Sequence, residues 1–451
     1  MSHRALLLSM LVLTGCPNPS PEGSDCPEPT GPGVTHSETI TRDETWSAAD
    51  GPHLVPSGLD VRATLTIEAC AVVRVGEGMS ITVGDSATTG RIVAHGTATE
   101  TVRRPVRFES ATSGTHFGGL VVLNGSLDLE HVEIDHAGAG GAAIELSGPD
   151  DDTIEPSLRA VSTRITSSSR SGIRLTRGAA FTDDSRDLVI TGAGAGGGAE
   201  PSYPIDIDPP GIGSIPDGAY TGNARDEIVV RTAWPRVIVD ETFRSVGVPY
   251  FIDETFLMYD PDGADLTLTI EPGTTLRFDA SSAGGVGMVL GNAASGSEVR
   301  LVAEGTREQP ITFTSAAPAP APGAWAGILM AHGSASGNVL AHAIVEYAGG
   351  ATSVRGYGCG TMENVGGLLI IDWLPADAFV TGSTFRHTVG AGIVSGWTLG
   401  AGVTPVDLRS DNVFEDIHDY MSEGHCDVAE WHPDAPDCRI PRIDGVTCVG
   451  G

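Results

Sequence analysis

The side chains able to do chemistry in this chain are carboxylates, indoles, imidazoles and thiols. Asp260, Asp262 and Asp265 alternate along a loop that holds Gly263 for a turn. Calcium takes six to eight oxygens, and this loop offers about four without a distal bidentate Glu. It reads as a weak calcium site or as a solvated turn ahead of a strand. Asp150–Asp152 and the pair Asp206 and Asp208 are poorer versions of the same idea. The neighbours Asp151-Asp152 and Asp183-Asp184 raise acid–base hydrolysis of a glycosidic bond, which needs two carboxylates across the scissile oxygen. Trp373 and Trp397 offer flat faces on which a sugar ring can stack. Other chemistry is excluded. All 26 basic residues are arginine, so no lysine is present for a Schiff base or a phosphate-gripping loop. A formal charge of −32 excludes nucleic acid as a partner, because phosphate polymers bind through cationic surfaces.

Seven cysteines bear on address and stapling. Residues 1–15 carry Arg4, then an apolar stretch from Ala5 to Leu13, too short for a membrane span and shaped like a secretory signal. The ending Leu13-Thr14-Gly15-Cys16 resembles the lipobox of bacterial lipoproteins. That resemblance implies cleavage before Cys16, lipidation of its sulfur and anchoring in the cell envelope, with the outer membrane favoured. Residues 16–38 are rich in Pro and Gly and read as a flexible tether. Six cysteines remain: Cys26, Cys70, Cys359, Cys426, Cys438 and Cys448. An even number in an exported chain suggests disulfides, with 15 pairings open. A Cys26–Cys70 bond would pin the tether to the first folded segments. A zinc set from His425, Cys426, His432, Cys438 and Cys448 fits no common spacing.

These groups must be positioned by strands. Leu65-Thr66-Ile67, Ile81-Thr82-Val83, Val106-Arg107-Phe108, Val132-Glu133-Ile134 and Ile173-Arg174-Leu175 alternate apolar with polar, between Gly, Asp, Ser and Asn. That period of two predicts an all-β protein. The chain is also written twice. Leu65–Glu68 returns as Leu268–Glu271, Pro105–Ser110 as Pro310–Ser315, Phe117–Leu120 as Trp325–Ile328 and His131–Gly138 as His342–Gly349, all at offsets near 207. Trp325 therefore reads as a packing residue, and the paired His131 and His342 as structural. Within each copy, a small residue followed by a large aliphatic opens strands at Gly119-Leu120, Ala143-Ile144 and Gly172-Ile173, then at Gly327-Ile328, Gly367-Leu368 and Gly392-Ile393. Strands recurring at such spacing suit the coils of a solenoid.

The succession LTIEPGTTLRF, LVAEGTREQPITFTS, PGAWAGILM and HAIVEYAGG, within 268–350, looks like right-handed parallel β-helix repeats of the pectin-lyase-like superfamily. The resemblance implies one rod of roughly 15–18 coils, about 70–85 Å long at the usual strand spacing. It would divide into copy 1 at 39–200, a seam or linker at 201–250, copy 2 at 251–420 and a Cys-rich cap at 421–451. The superfamily includes polysaccharide lyases and hydrolases. Their Gly-His-Gly and lysine-containing elements are absent here, and Ile134-Asp135-His136 becomes Val345-Glu346-Tyr347 in the second copy. The expected function is a surface-anchored, non-catalytic β-helix, adhesin-like or binding a carbohydrate, matrix polymer or surface protein. The alternative is a polysaccharide lyase or glycoside hydrolase using clustered carboxylates. No cofactor is expected beyond the weak calcium site.

Overall fold

A computed structural model describes residues 24–148, 156–198, 201–231, 236–280, 285–334, 336–350, 365–371, 373, 375–395, 406–419 and 425–430. The chain is an all-β parallel β-helix. Each coil contributes short strands to successive faces, and each face is a parallel sheet running along the axis. The longest sheet has thirteen strands, from Leu59–Val61 to Val413–Glu415. Twelve steps at about 4.8 Å give a sheet about 58 Å long. Those twelve steps consume about 30 residues each, more than the expected coil. The rod is therefore shorter than sequence spacing suggests, because long loops leave the coil between strands.

Alternation sets which side chains fill the interior. One inner row of the long sheet reads Leu59, Ile81, Leu120, Ile144, Ile173, Ile205, Ile228, Tyr250, Leu276 and Phe313, each beside the next. Residues of this row are buried and belong to one continuous core. Trp325 is fully buried, as is its counterpart Phe117. It stacks on Phe278 at 4.2 Å between ring centroids. The outward positions carry alternating charge: Glu145, Arg174 and Asp206 stand side by side, as do Glu346 and Arg386. Opposite charges on adjacent strands support the ladder without entering the core.

The two copies correspond strand for strand, but they are not in phase. In copy 1, Glu44–Trp46 lies in a six-stranded sheet, His53–Val55 in an eight-stranded sheet and Leu59–Val61 in the long sheet. Their counterparts are Glu241–Phe243, Tyr250–Ile252 and Phe256–Met258. Of these it is the second, Tyr250–Ile252, that joins the long sheet, while Phe256–Met258 starts a separate six-stranded sheet. Likewise Gly119–Val122 lies in the long sheet and its counterpart Gly327–Met330 does not. The long sheet is thus the third face of copy 1 continued by the second face of copy 2.

The slip is made in residues 201–250, which are not a linker. Ile205–Ile207, Ile228–Val230 and Tyr250–Ile252 are successive rungs of the long sheet. Two or three apolar residues per rung suffice to hold the ladder, even in a stretch rich in Pro, Gly and Asp. The expected cap is likewise part of the coil at Cys426–Glu430, which pairs with Ala391–Ser395. Residues 431–451 lie outside the described residues.

Polar groups enter the interior where the phase changes. The 3-10 turn Pro209–Ser214 occupies the place of a strand there. The Glu241 side chain accepts the backbone N–H of Gly213 at 2.6 Å and of Thr242 at 2.8 Å. Burial pushes its carboxyl up to about 7. Tyr220 and Tyr250 are fully buried, and their hydroxyls donate to the carbonyls of Pro216 and Arg244.

Candidate ligand-binding groove

A groove of about 960 Å³ runs along the outer side of the eight-stranded face of copy 1. Its floor is the outward row Arg164, Val189 and Ala219, which stand side by side in register. One wall is the antiparallel hairpin that pairs Thr97–Ala98 with Arg103–Arg104. Thr99, Glu100 and Thr101 line the groove from its tip. The hairpin is held at its base. Arg103 ion-pairs with Glu133 at 2.8 Å, and Asp25 exchanges hydrogen bonds with the Arg103 backbone. The Cys26–Cys70 disulfide then ties this segment to the first coils, so that sequence expectation holds.

The opposite wall is a column of coil corners. His131, Ser162 and Asp187 have φ of 50°, 47° and 54°. A left-handed residue turns the chain sharply from one face to the next and throws its side chain outward. The backbone N–H of His131 bonds the Val161 carbonyl, and that of Ser162 bonds the Arg186 carbonyl. The three corners therefore lie one above another, about 4.8 Å apart. His, Ser and Asp form the composition of a hydrolytic triad but not its order. Serine stands in the middle, whereas a triad needs histidine between its partners. Among the described residues, no hydrogen bond or ion pair engages the side chains of His131, Ser162, Arg164 or Asp187. These polar groups face the groove uncommitted.

Elsewhere, carboxylates that converge are committed to arginines. Asp206 is 1% exposed and accepts from Arg174 at 3.0 Å and Arg231 at 3.1 Å. Arg231 also holds Asp253 at 3.0 Å. Asp208 accepts the Arg177 backbone N–H at 2.7 Å. Burial, with Asp206 and Asp253 adding to it, pushes Asp208 up to about 6. Asp184 is bound by Arg159 at 2.6 Å; Asp150–Asp152 lie outside the described residues.

Several sequence expectations are corrected. Trp373 is 6% exposed, its indole N–H donates to the Met330 carbonyl and its ring packs near Phe379. Core packing uses both faces, so it offers none to a sugar. Trp397 lies outside the described residues, as do Cys16, Cys359, Cys438 and Cys448. Asp260, Asp262 and Asp265 do not converge on a common point. Asp260 accepts the Asp262 backbone N–H at 2.6 Å, and Asp265 accepts that of Glu298 at 3.3 Å. They shape a turn, the solvated alternative to calcium. Cys426 is disulfide-bonded, which removes it from the conceivable zinc set.

Comparison with family models, curated proteins and solved structures yields no match. The β-helix therefore stands on its own strand pairing, and function must be read from the groove. Sequence reasoning named no groove residue as a ligand contact. The available signal was the recurrence of a polar residue at each strand-to-strand corner, legible only once coils are aligned.

Proposed function

We propose that this chain is an exported, lipid-anchored, non-catalytic β-helix that holds a carbohydrate or matrix polymer in the groove beside the hairpin. The observation that carries the reading is the row of uncommitted polar side chains, His131, Ser162, Arg164 and Asp187, along an open groove parallel to the rod axis. Hydroxyl, guanidinium and carboxylate groups together match the mixed donors and acceptors of a polyol chain. The extended groove suits a polymer better than a compact ligand. Anchoring rests on Leu13-Thr14-Gly15-Cys16 and its resemblance to a lipobox, and display at the cell surface follows from it. An adhesin-like role combines the two.

One observation favours the enzymatic alternative, a lyase or hydrolase of the pectin-lyase-like kind. Asp208, whose carboxyl burial pushes up to about 6, stands beside a second carboxyl group, Asp206, as in paired-carboxylate sites. Burial of Asp206 beneath two guanidiniums argues against substrate reaching it.

A panel of neutral and acidic polysaccharides, with and without Ca²⁺, separates the readings. Binding by the mature protein should weaken at least ten-fold in Arg164→Ala and Asp187→Ala, and no new reducing or unsaturated ends should appear. Chain cleavage that is lost in Asp208→Asn would replace the binder with the enzyme. Metabolic lipid labelling that persists in Cys16→Ser would sink the anchor.

A further inference from the structure

At the last rungs of the long sheet, three metal-ligating side chains meet on one corner. The corner column there is Tyr347, His387 and Asp416, with φ of 61°, 52° and 53°. These residues follow Ala343–Glu346, Thr384–Arg386 and Val413–Glu415, which pair in register. Backbone bonds fix the spacing: the N–H of Tyr347 donates to the Arg386 carbonyl, and that of His387 to the Glu415 carbonyl. His418 is placed by a parallel bridge to Val389, its N–H on the Thr388 carbonyl and its carbonyl on the Gly390 N–H. All three side chains are therefore mounted on ladder positions.

Their geometry is that of a first coordination sphere. His387 Nδ1 lies 2.8 Å from Asp416 Oδ2, and His418 Nε2 lies 3.4 Å from the same oxygen. The three ligand atoms all fall within 4.8 Å of one another, the one such cluster among the described residues. Zinc binds imidazole nitrogen and carboxylate oxygen at about 2.0–2.1 Å, so neighbouring ligands of a tetrahedral site stand about 3.3 Å apart. The observed separations bracket that edge, and rotation of exposed side chains closes the rest. The His387 ring is stacked on Tyr347 at 5.1 Å and 14°. That stack restrains one ligand before any ion arrives.

From this arrangement we infer that His387, Asp416 and His418 form a three-ligand site for a divalent transition-metal ion of the zinc class. Two imidazoles and one carboxylate leave one tetrahedral position to water or to a group brought by a partner. The site lies on copy 2, away from the groove residues of copy 1, and stands independently of the polymer-binding reading. The counterpart of Tyr347 in copy 1 is His136, and the corners stacked below it are Ser167 and Gly192. The first copy therefore lacks the ligand set, so one ion per chain is expected at this corner.

The test uses the full chain without an affinity tag, stripped with a chelator and titrated with zinc by calorimetry. One stoichiometric site is expected at micromolar zinc or below. Loss of a supporting group outside the ligand set typically costs about 10–100-fold in metal affinity, so His387→Ala and His418→Ala should each weaken zinc by at least about 100-fold. Asp416→Asn should also weaken it, whereas His425→Ala, which removes the neighbouring imidazole bonded to Asp419, should not. Circular dichroism checks that the variants fold, and cobalt substitution gives a visible spectrum that reports coordination directly. Absence of a stoichiometric site in the parent chain overturns the inference. So does zinc binding, or an unaltered cobalt spectrum, that survives in the double variant His387→Ala, His418→Ala.

Discussion

Glu241 should make the seam between copies weaken as pH rises. Its side chain is 6% exposed, and burial pushes its carboxyl from the ordinary value of 4.5 to about 7. The folded state therefore binds the proton more tightly than the unfolded chain. Below about pH 4.5 both states are protonated and the stability at this site is complete. It declines between pH 4.5 and 7, and above 7 the folded state carries a buried carboxylate. The difference of about 2.5 pH units corresponds to about 3 kcal/mol. Glu241→Gln should remove this cost. Its amide oxygen can still accept the N–H groups of Gly213 and Thr242, which both approach Oε1. At pH 8 the variant should be more stable than the parent by about that amount, and near pH 4 the two should coincide. A solenoid opens in pieces, so the measurement is amide exchange corrected for intrinsic rate, read at Glu241–Phe243 and Tyr250–Ile252. Asp208, pushed up to about 6, adds a slope of the same sign in both proteins and cancels in the comparison. Parallel pH profiles for parent and variant between pH 5 and 8 would refute the assignment of the slope to Glu241.

Two further outcomes test the coil. Trp325→Ala should destabilise copy 2 by about 3–5 kcal/mol, because it empties a fully buried site and leaves the Glu346 carbonyl without its indole donor at 2.7 Å. Trp325→Phe, which restores the residue type of copy 1 at Phe117, should cost markedly less; thermal unfolding of both variants decides this. Cys26→Ser should release the N-terminal segment from the hairpin, losing up to about 4 kcal/mol of loop-closure stabilisation over a separation of 44 residues. Limited proteolysis should then cut within residues 24–36 while the long sheet keeps its protection from exchange.

How legible the site was depends on how far along the chain its parts lie. The Cys26–Cys70 bond was approachable because the tether cysteine and the first cysteine of the coils follow one another along the chain, 44 residues apart. The strand segments, such as Val132-Glu133-Ile134 and Ile173-Arg174-Leu175, were legible because alternation is a local property, and both are strands with the expected residues inside. Trp373 misled because an indole reads alike whether packed or presented, and burial is decided by distant segments. His387 and Asp416 were missed because they are 29 residues apart, while coils differ in length whenever a loop is inserted. Without the register, no count along the sequence places them on one corner.

The amino-acid sequence by itself determined the repeating unit: short alternating strands, turned at glycines and polar corners, copied once along the chain. These follow from steric preference and the need to bury one side of each strand. Only the tertiary structure decided which faces of the two copies join. Aliphatic inner rows look alike on every face, so Leu276 fits beside Tyr250 as well as Leu120 fits beside Ile81. The choice belongs to residues 201–250, whose rungs and buried Glu241 carry copy 2 on by one face. Groove and metal-ligating corner each follow from the register within one copy, since both are made of side chains that meet only across neighbouring rungs.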